Sequence, residues 1–119
     1  MEFKGNIEEI TKKNKFYRKV ICTTENQQLV AMSLLPLEEI GLEMHSDTSQ
    51  FIKVEKGKGI AVINNNRYLL KDGDAVLVPS GLYHNIINTS KTECLKLYTI
   101  YSPPHHPFNT RQKIKPILD

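Results

Sequence analysis

The chain predicts an all-β fold, a sandwich or barrel preceded by one short helix, and three observations lead there. Short runs rich in β-branched and aromatic residues recur about every 8–12 residues. Turn-forming clusters separate them, among them Asn64-Asn65-Asn66, Lys71-Asp72-Gly73-Asp74 and Pro79-Ser80-Gly81. Within runs, residue character alternates with period two. Leu95, Leu97, Thr99 and Tyr101 share one face of a strand, and Cys94, Lys96, Tyr98 and Ile100 share the other.

Residues 6–14 begin with Asn6 as a candidate N-cap, and Glu8-Glu9 suit the first turn of a helix. From Phe16 to Thr23 the residue types change to those of a strand, and Thr24 to Gln27 turns the chain. Gln28 to Leu35 is apolar on both faces, which predicts two covers, the core and a second subunit. Ile40 to His45 is read as a strand, with Glu43 and His45 on one face and Leu42 and Met44 on the other. Gln50 to Glu55 follows a polar loop and points Gln50, Ile52 and Val54 inward. Gly59–Ile63 and Arg67–Leu70 form a hairpin across the asparagines, since Asn tolerates positive φ. Ala75–Val78, His84–Asn88 and Glu93–Tyr101 complete about nine strands, and Pro103-Pro104 ends regular structure. The tail from His105 shows no clear period and reads as an arm over a barrel mouth or a neighbouring subunit.

At 119 residues the chain is one domain's worth, with a barrel core at about 16–101 and a C-terminal arm at 102–119. Its composition, 39% hydrophobic and 24% charged, is that of a globular protein. The net charge of +3 is spread along the chain, and the basic patches Lys12-Lys13-Asn14-Lys15 and Arg111-Gln112-Lys113-Ile114-Lys115 read as solvated ends rather than nucleic-acid contacts. No apolar run approaches the ~18 residues of a membrane span, and no signal-peptide apolar region follows Met1. Cys22 and Cys94 are far apart in strand-like runs and read as buried free thiols of a reducing, cytoplasmic protein.

The chemistry concentrates between Gly41 and Asn88. Glu43, His45, Gln50 and His84 converge if the sheet curls into a barrel, giving two imidazoles, a carboxylate and an amide oxygen. That set suits a divalent metal such as zinc, iron, manganese or nickel, with open positions for a substrate. Pro79 and Gly81 shape the turn that delivers His84, and Asn88 reads as a backbone hydrogen-bonding residue. Thr99 and Tyr101 line the pocket or pack the core. His105-His106 invites a metal reading, but neighbours on an irregular segment rarely converge on one ion. Phe51, on an outward face, marks a candidate subunit contact.

The stretch from Gly73 to Asn88 carries a pattern of Gly, five residues, Pro, any residue, Gly, two residues, His, three residues, Asn, with every fixed position met. It resembles the second motif of the cupin superfamily. The first cupin motif falls on Glu43, His45, Gln50 and Gly57 with the family's spacing, but Glu43 replaces its first His and Gln50 its Glu. Gln28-Leu29-Val30, Glu39-Ile40-Gly41, Gln50-Phe51 and the run Leu97 to Pro104 further resemble small single-domain cupins labelled mannose-6-phosphate isomerase-like. The resemblance implies a double-stranded β-helix (a cupin jelly-roll barrel), a divalent metal at its centre, a small-molecule ligand in the barrel and a homodimer.

Two classes of function remain open at this level. One is a metal-dependent enzyme of isomerase, epimerase or lyase type acting on a sugar, sugar phosphate or other small polar metabolite, with Glu43 or Tyr101 moving a proton; an iron-dependent dioxygenase is its oxidative variant. The other is a non-catalytic module that binds a sugar or a metal.

Overall fold

The computed structural model describes residues 2–117. The end of the C-terminal arm, Leu118-Asp119, and Met1 lie outside them. Helix α1 spans Ile7–Lys13. Asn6 caps it, its side-chain oxygen accepting from the Glu9 N–H at 2.9 Å, and Lys12–Glu8 and Lys13–Glu9 pairs run along its exposed side. Nine strands follow: β1 Arg18–Thr23, β2 Gln28–Leu34, β3 Ser49–Lys56, β4 Gly59–Ile63, β5 Asn66–Leu70, β6 Ala75–Val78, β7 His84–Asn88, β8 Leu95–Ser102 and β9 Arg111–Gln112.

The strands form two antiparallel sheets, one of six in the order β6-β3-β8-β2-β1-β9 and one of three in the order β5-β4-β7. Inward side chains of both sheets make one core: Val30, Met32 and Leu34 from β2, Ile52 and Val54 from β3, Leu95 and Leu97 from β8, Ala61 from β4 and Ile86 from β7. The period-two reading of β8 holds, since Leu95, Leu97, Thr99 and Tyr101 are buried and the residues between them are half-exposed.

Two expectations need correction, and one is met in part. Residues 40–45 are not a regular strand; residues 39–43 meet β7 through isolated bridges at Glu39–Ile87 and Glu43–His84 and through hydrogen bonds from the Ile40 and Gly41 N–H groups. Gly41, at φ +108°, breaks the ladder between them. Next, part of the outer side of β2 is covered by the chain itself, while Leu29 stays half-exposed. Helix α1 packs against β8, β3 and β2, and the Lys96 ammonium donates to the Asn14 carbonyl as the helix ends. Finally, the arm is not structureless, because β9 pairs with the edge of β1 at Arg18–Gln112 and Lys19–Arg111. Of the cysteines, both free, Cys22 is buried but Cys94 is only half-buried.

Asn88 does what its position suggested. Its amide donates to the carbonyls of Leu34, Leu35 and Glu93, and its oxygen accepts from the Ser90 N–H. One side chain thereby ties the end of β7 to the ends of β2 and the β7–β8 turn.

Candidate metal centre and its cleft

The backbone brings the site residues together before their side chains do. Glu43 and His84 exchange two main-chain hydrogen bonds, Glu43 N–H to His84 O at 2.9 Å and His84 N–H to Glu43 O at 2.8 Å. The turn before β7 passes through Gly81 at φ +87°, a conformation a β-carbon disfavours. The Gly81 N–H donates to the His45 carbonyl at 2.7 Å, so the turn that presents His84 also holds His45. Strand register adds Gln50, which lies across from Tyr101 in β8, which in turn faces Gln28 in β2.

Ligand-capable atoms of Glu43, His45 and His84 all lie within 4.8 Å of one another, with both histidines buried. Donors bound about 2.1 Å from one ion at tetrahedral or octahedral angles stand about 3.0–3.4 Å apart, so side-chain shifts of about an ångström close the set around a cation. The His45 Nε2 stands 3.9 Å from a Glu43 carboxylate oxygen. It is buried and makes no hydrogen bond among the described residues, an arrangement a bound cation would resolve.

His84 and Gln50 repeat the pattern. The His84 Nδ1 lies 3.0 Å from the Leu82 carbonyl, which can only accept, so the proton of a neutral ring sits on Nδ1. The Nε2 lone pair then faces the Gln50 Oε1, another acceptor, at 3.1 Å. At its other end the Gln50 Nε2 donates to the Thr99 hydroxyl at 3.0 Å. Lone pairs of His84, Gln50 and His45 with a carboxylate beside them form the mixed nitrogen and oxygen donor set of a divalent transition metal, and the residues present fit one.

All four histidines of the chain meet here. The His105 ring packs 4.2 Å from that of His45, and His106 meets Tyr101 at ring centroids 5.2 Å apart. The Tyr101 hydroxyl is 3.3 Å from the His106 Nε2. The convergent ligand set comprises Glu43, His45 and His84, while His105 packs on it at a tilt as part of the wall. Tyr101 is almost fully buried, and its ring meets His45 edge-on. A cleft of about 570 Å³ opens over the group, lined by Glu43, His45, His105, His106 and also Arg18 and Gln112.

Sequence reasoning missed two of the residues that build this cleft. Gln28 is fully buried; its oxygen accepts from the His105 and His106 N–H groups, and its amide donates to the His106 carbonyl. Arg18 is 2% exposed. Both carry a legible signal, because each is polar at an inward position, Gln28 in step with Val30 and Arg18 in step with Val20.

Burial, and then the neighbouring His105 and His84, hold the His45 imidazole down from its ordinary 6.5 to about 4. Between those values the unfolded chain binds more protons than the folded one, so stability rises with pH. Metal-free protein is therefore expected to lose stability as pH falls from about 6.5 towards 4, by up to about 3 kcal/mol. Urea denaturation across that range checks it; a slope that persists unchanged in His45→Gln would contradict it.

The fold and the ligand-bearing segments define a class. A profile of the Cupin domain family matches residues 30–101, and the chain belongs to that family. It is 50% identical over 105 residues to protein L612 of Acanthamoeba polyphaga mimivirus, covering 86% of this chain and 66% of that protein. It is 41% identical over 119 residues to YrkC of Bacillus subtilis, covering 95% of this chain and 63% of that one. The chain thus spans just under two thirds of these relatives' length. The crystal structure of BH2720 from Bacillus halodurans superposes with a TM-score of 0.94 at 37% identity, over 97% of this chain and 91% of that one. No helix among the described residues is long and apolar enough to cross a membrane.

Proposed function

We propose that this cupin is a metal-dependent enzyme acting on a small polar metabolite by isomerase, epimerase or lyase chemistry, as its resemblance to mannose-6-phosphate isomerase-like cupins suggests. Glu43, His45, Gln50 and His84 hold the ion. The observation that carries this reading is the buried His45 Nε2, unsatisfied and facing the Glu43 carboxylate. A divalent cation there supplies Lewis acidity towards a substrate carbonyl.

The chain's own groups do the rest. Where the Glu43 carboxylate is not bound to the ion, it takes a proton from the carbon beside that carbonyl and returns it to the same or the neighbouring carbon; where it is bound, Tyr101 does so. Return to the opposite face gives epimerisation, and return to the next carbon gives isomerisation; neither needs an oxidant. Tyr101, bonded to His106, holds or passes the proton moved on oxygen. The His105-His106 segment, pinned by Gln28, walls the cleft and limits water access. Free thiols at Cys22 and Cys94 support a cytoplasmic setting, and a homodimer is part of the same reading.

The test is proton exchange. Protein loaded with zinc, manganese, nickel or iron is incubated in D₂O with sugars, sugar phosphates and oxo acids and followed by NMR. The expected result is metal-dependent deuterium incorporation beside a carbonyl, lost in Glu43→Gln. Tight binding with no exchange on any compound would instead make the barrel a non-catalytic binding module. The two-histidine, one-carboxylate set also favours a second reading, an iron-dependent dioxygenase, for which the iron-loaded protein would consume oxygen with substrate.

A further inference from the structure

We infer that the substrate is amphipathic: one end carries the adjacent oxygens that meet the metal centre, and the other is a hydrocarbon group that lies against Leu42 and Met44 at the cleft mouth. Among small polar metabolites this selects an oxo acid with an alkyl side chain over a sugar. The inference rests on the reading of this cleft as the substrate site.

Leu42 and Met44 alternate with Glu43 and His45, an order that in a paired strand would turn them to the opposite face and into packing. The structure gives them no such cover. Gly41, at φ +108°, takes the segment out of the ladder, and its main-chain hydrogen bonds to β7 end at Glu43. Leu42 is 69% exposed and Met44 42%, and neither belongs to the hydrophobic core. Both nevertheless line the same cleft as Glu43 and His45, and Pro107 on the arm adds a third apolar side chain. Two large hydrocarbon side chains are thus held in water beside the metal ligands, one on each side of Glu43 in the chain. Methionine, unbranched and polarisable, adapts its shape to what packs on it.

The polar part of the lining is engaged within the chain. The Arg18 Nη1 donates to the Gln112 Oε1 at 2.8 Å, and the Thr110 hydroxyl donates to the Pro107 carbonyl at 2.8 Å. The apolar part gains by losing its water. His45 and His84 are buried and Leu42 and Met44 are exposed, so a ligand held by one end at the metal centre has its other end at the mouth. Hydroxyls there would exchange water for carbon, whereas a hydrocarbon group removes apolar surface from water on both partners. A cleft of about 570 Å³ has room for a chain of several carbons.

The test titrates a homologous series, pyruvate, 2-oxobutanoate, 2-oxopentanoate and 2-oxohexanoate, into the whole chain by calorimetry. Each is measured with protein carrying zinc and with metal-free protein, and zinc content is recorded. The chelating end is the same throughout, so only the hydrocarbon changes. Affinity for the zinc form is expected to rise about 2–4-fold with each added CH₂, and glucose to bind more weakly than 2-oxohexanoate. In the double variant Leu42→Ser/Met44→Ser the rise flattens, while zinc content and pyruvate affinity stay at wild type. Both side chains are exposed, so the variant folds. A flat series in wild type, or a rise untouched in the double variant, overturns the inference. A wild-type dimer that sediments as monomers in the double variant, together with a flat series, gives the two side chains to a second copy of the chain and also overturns it. Zinc bound without preference for the longer acids removes this inference and leaves the metal centre standing. Preference for the longer acids without zinc uptake does the reverse, and neither zinc nor acid bound removes both.

Discussion

His84→Ala is expected to abolish stoichiometric metal uptake while leaving a folded β protein. Loss of a group that merely supports a ligand costs a metal site about 10–100-fold in affinity, so loss of the ligand itself should exceed about 100-fold. The fold survives because the bridge between Glu43 and His84 is made by main-chain atoms. What the variant gives up is a buried ring and its bond to the Leu82 carbonyl, about 1–3 kcal/mol. Equilibrium dialysis with elemental analysis, run beside circular dichroism, reads both effects. Metal content equal to wild type would place the ion elsewhere.

Gln28→Ala carries the largest expected loss of stability, about 2–5 kcal/mol, because one buried amide satisfies several backbone groups at once. Its oxygen accepts from His105 and His106, and its Nε2 donates to the His106 carbonyl and the Thr23 hydroxyl. Truncation strands those groups and frees the segment that packs on His45. Hydrogen exchange should therefore quicken first at His105 and His106, before β2 and β8 respond. Uniform destabilisation, with no selective opening of that segment, would show that Gln28 serves the core rather than the cleft.

Most of the strands were legible because period two is a strong signal where one face is buried. β8 and β3 show it, with Leu95, Leu97, Ile52 and Val54 in the core. The cupin motif from Gly73 to Asn88 marked His84 because a turn of fixed length leads into a strand whose first residue must face inward. The segment from Ile40 to His45 was harder. Glu43 and His45 alternate as in a strand, yet Gly41 turns the backbone out of the ladder, and period two cannot reveal the φ of a glycine. The arm was least legible. His105 and His106 reach the site through hydrogen bonds to Gln28, a contact across 77 and 78 residues that no local pattern encodes. Likewise, β9 is two residues long, too short to show a period. Their partners left a trace, since Gln28 and Arg18 are polar side chains facing inward in otherwise apolar company.

The central claim is that one divalent cation sits between Glu43, His45, Gln50 and His84. Anomalous diffraction from crystals grown with manganese or zinc and collected above the metal's absorption edge tests it most directly. The account predicts a single strong peak per chain, about 2.0–2.2 Å from the His45 Nε2, the His84 Nε2 and a Glu43 oxygen. A full-occupancy peak elsewhere, or none at that position in metal-saturated crystals, would contradict it.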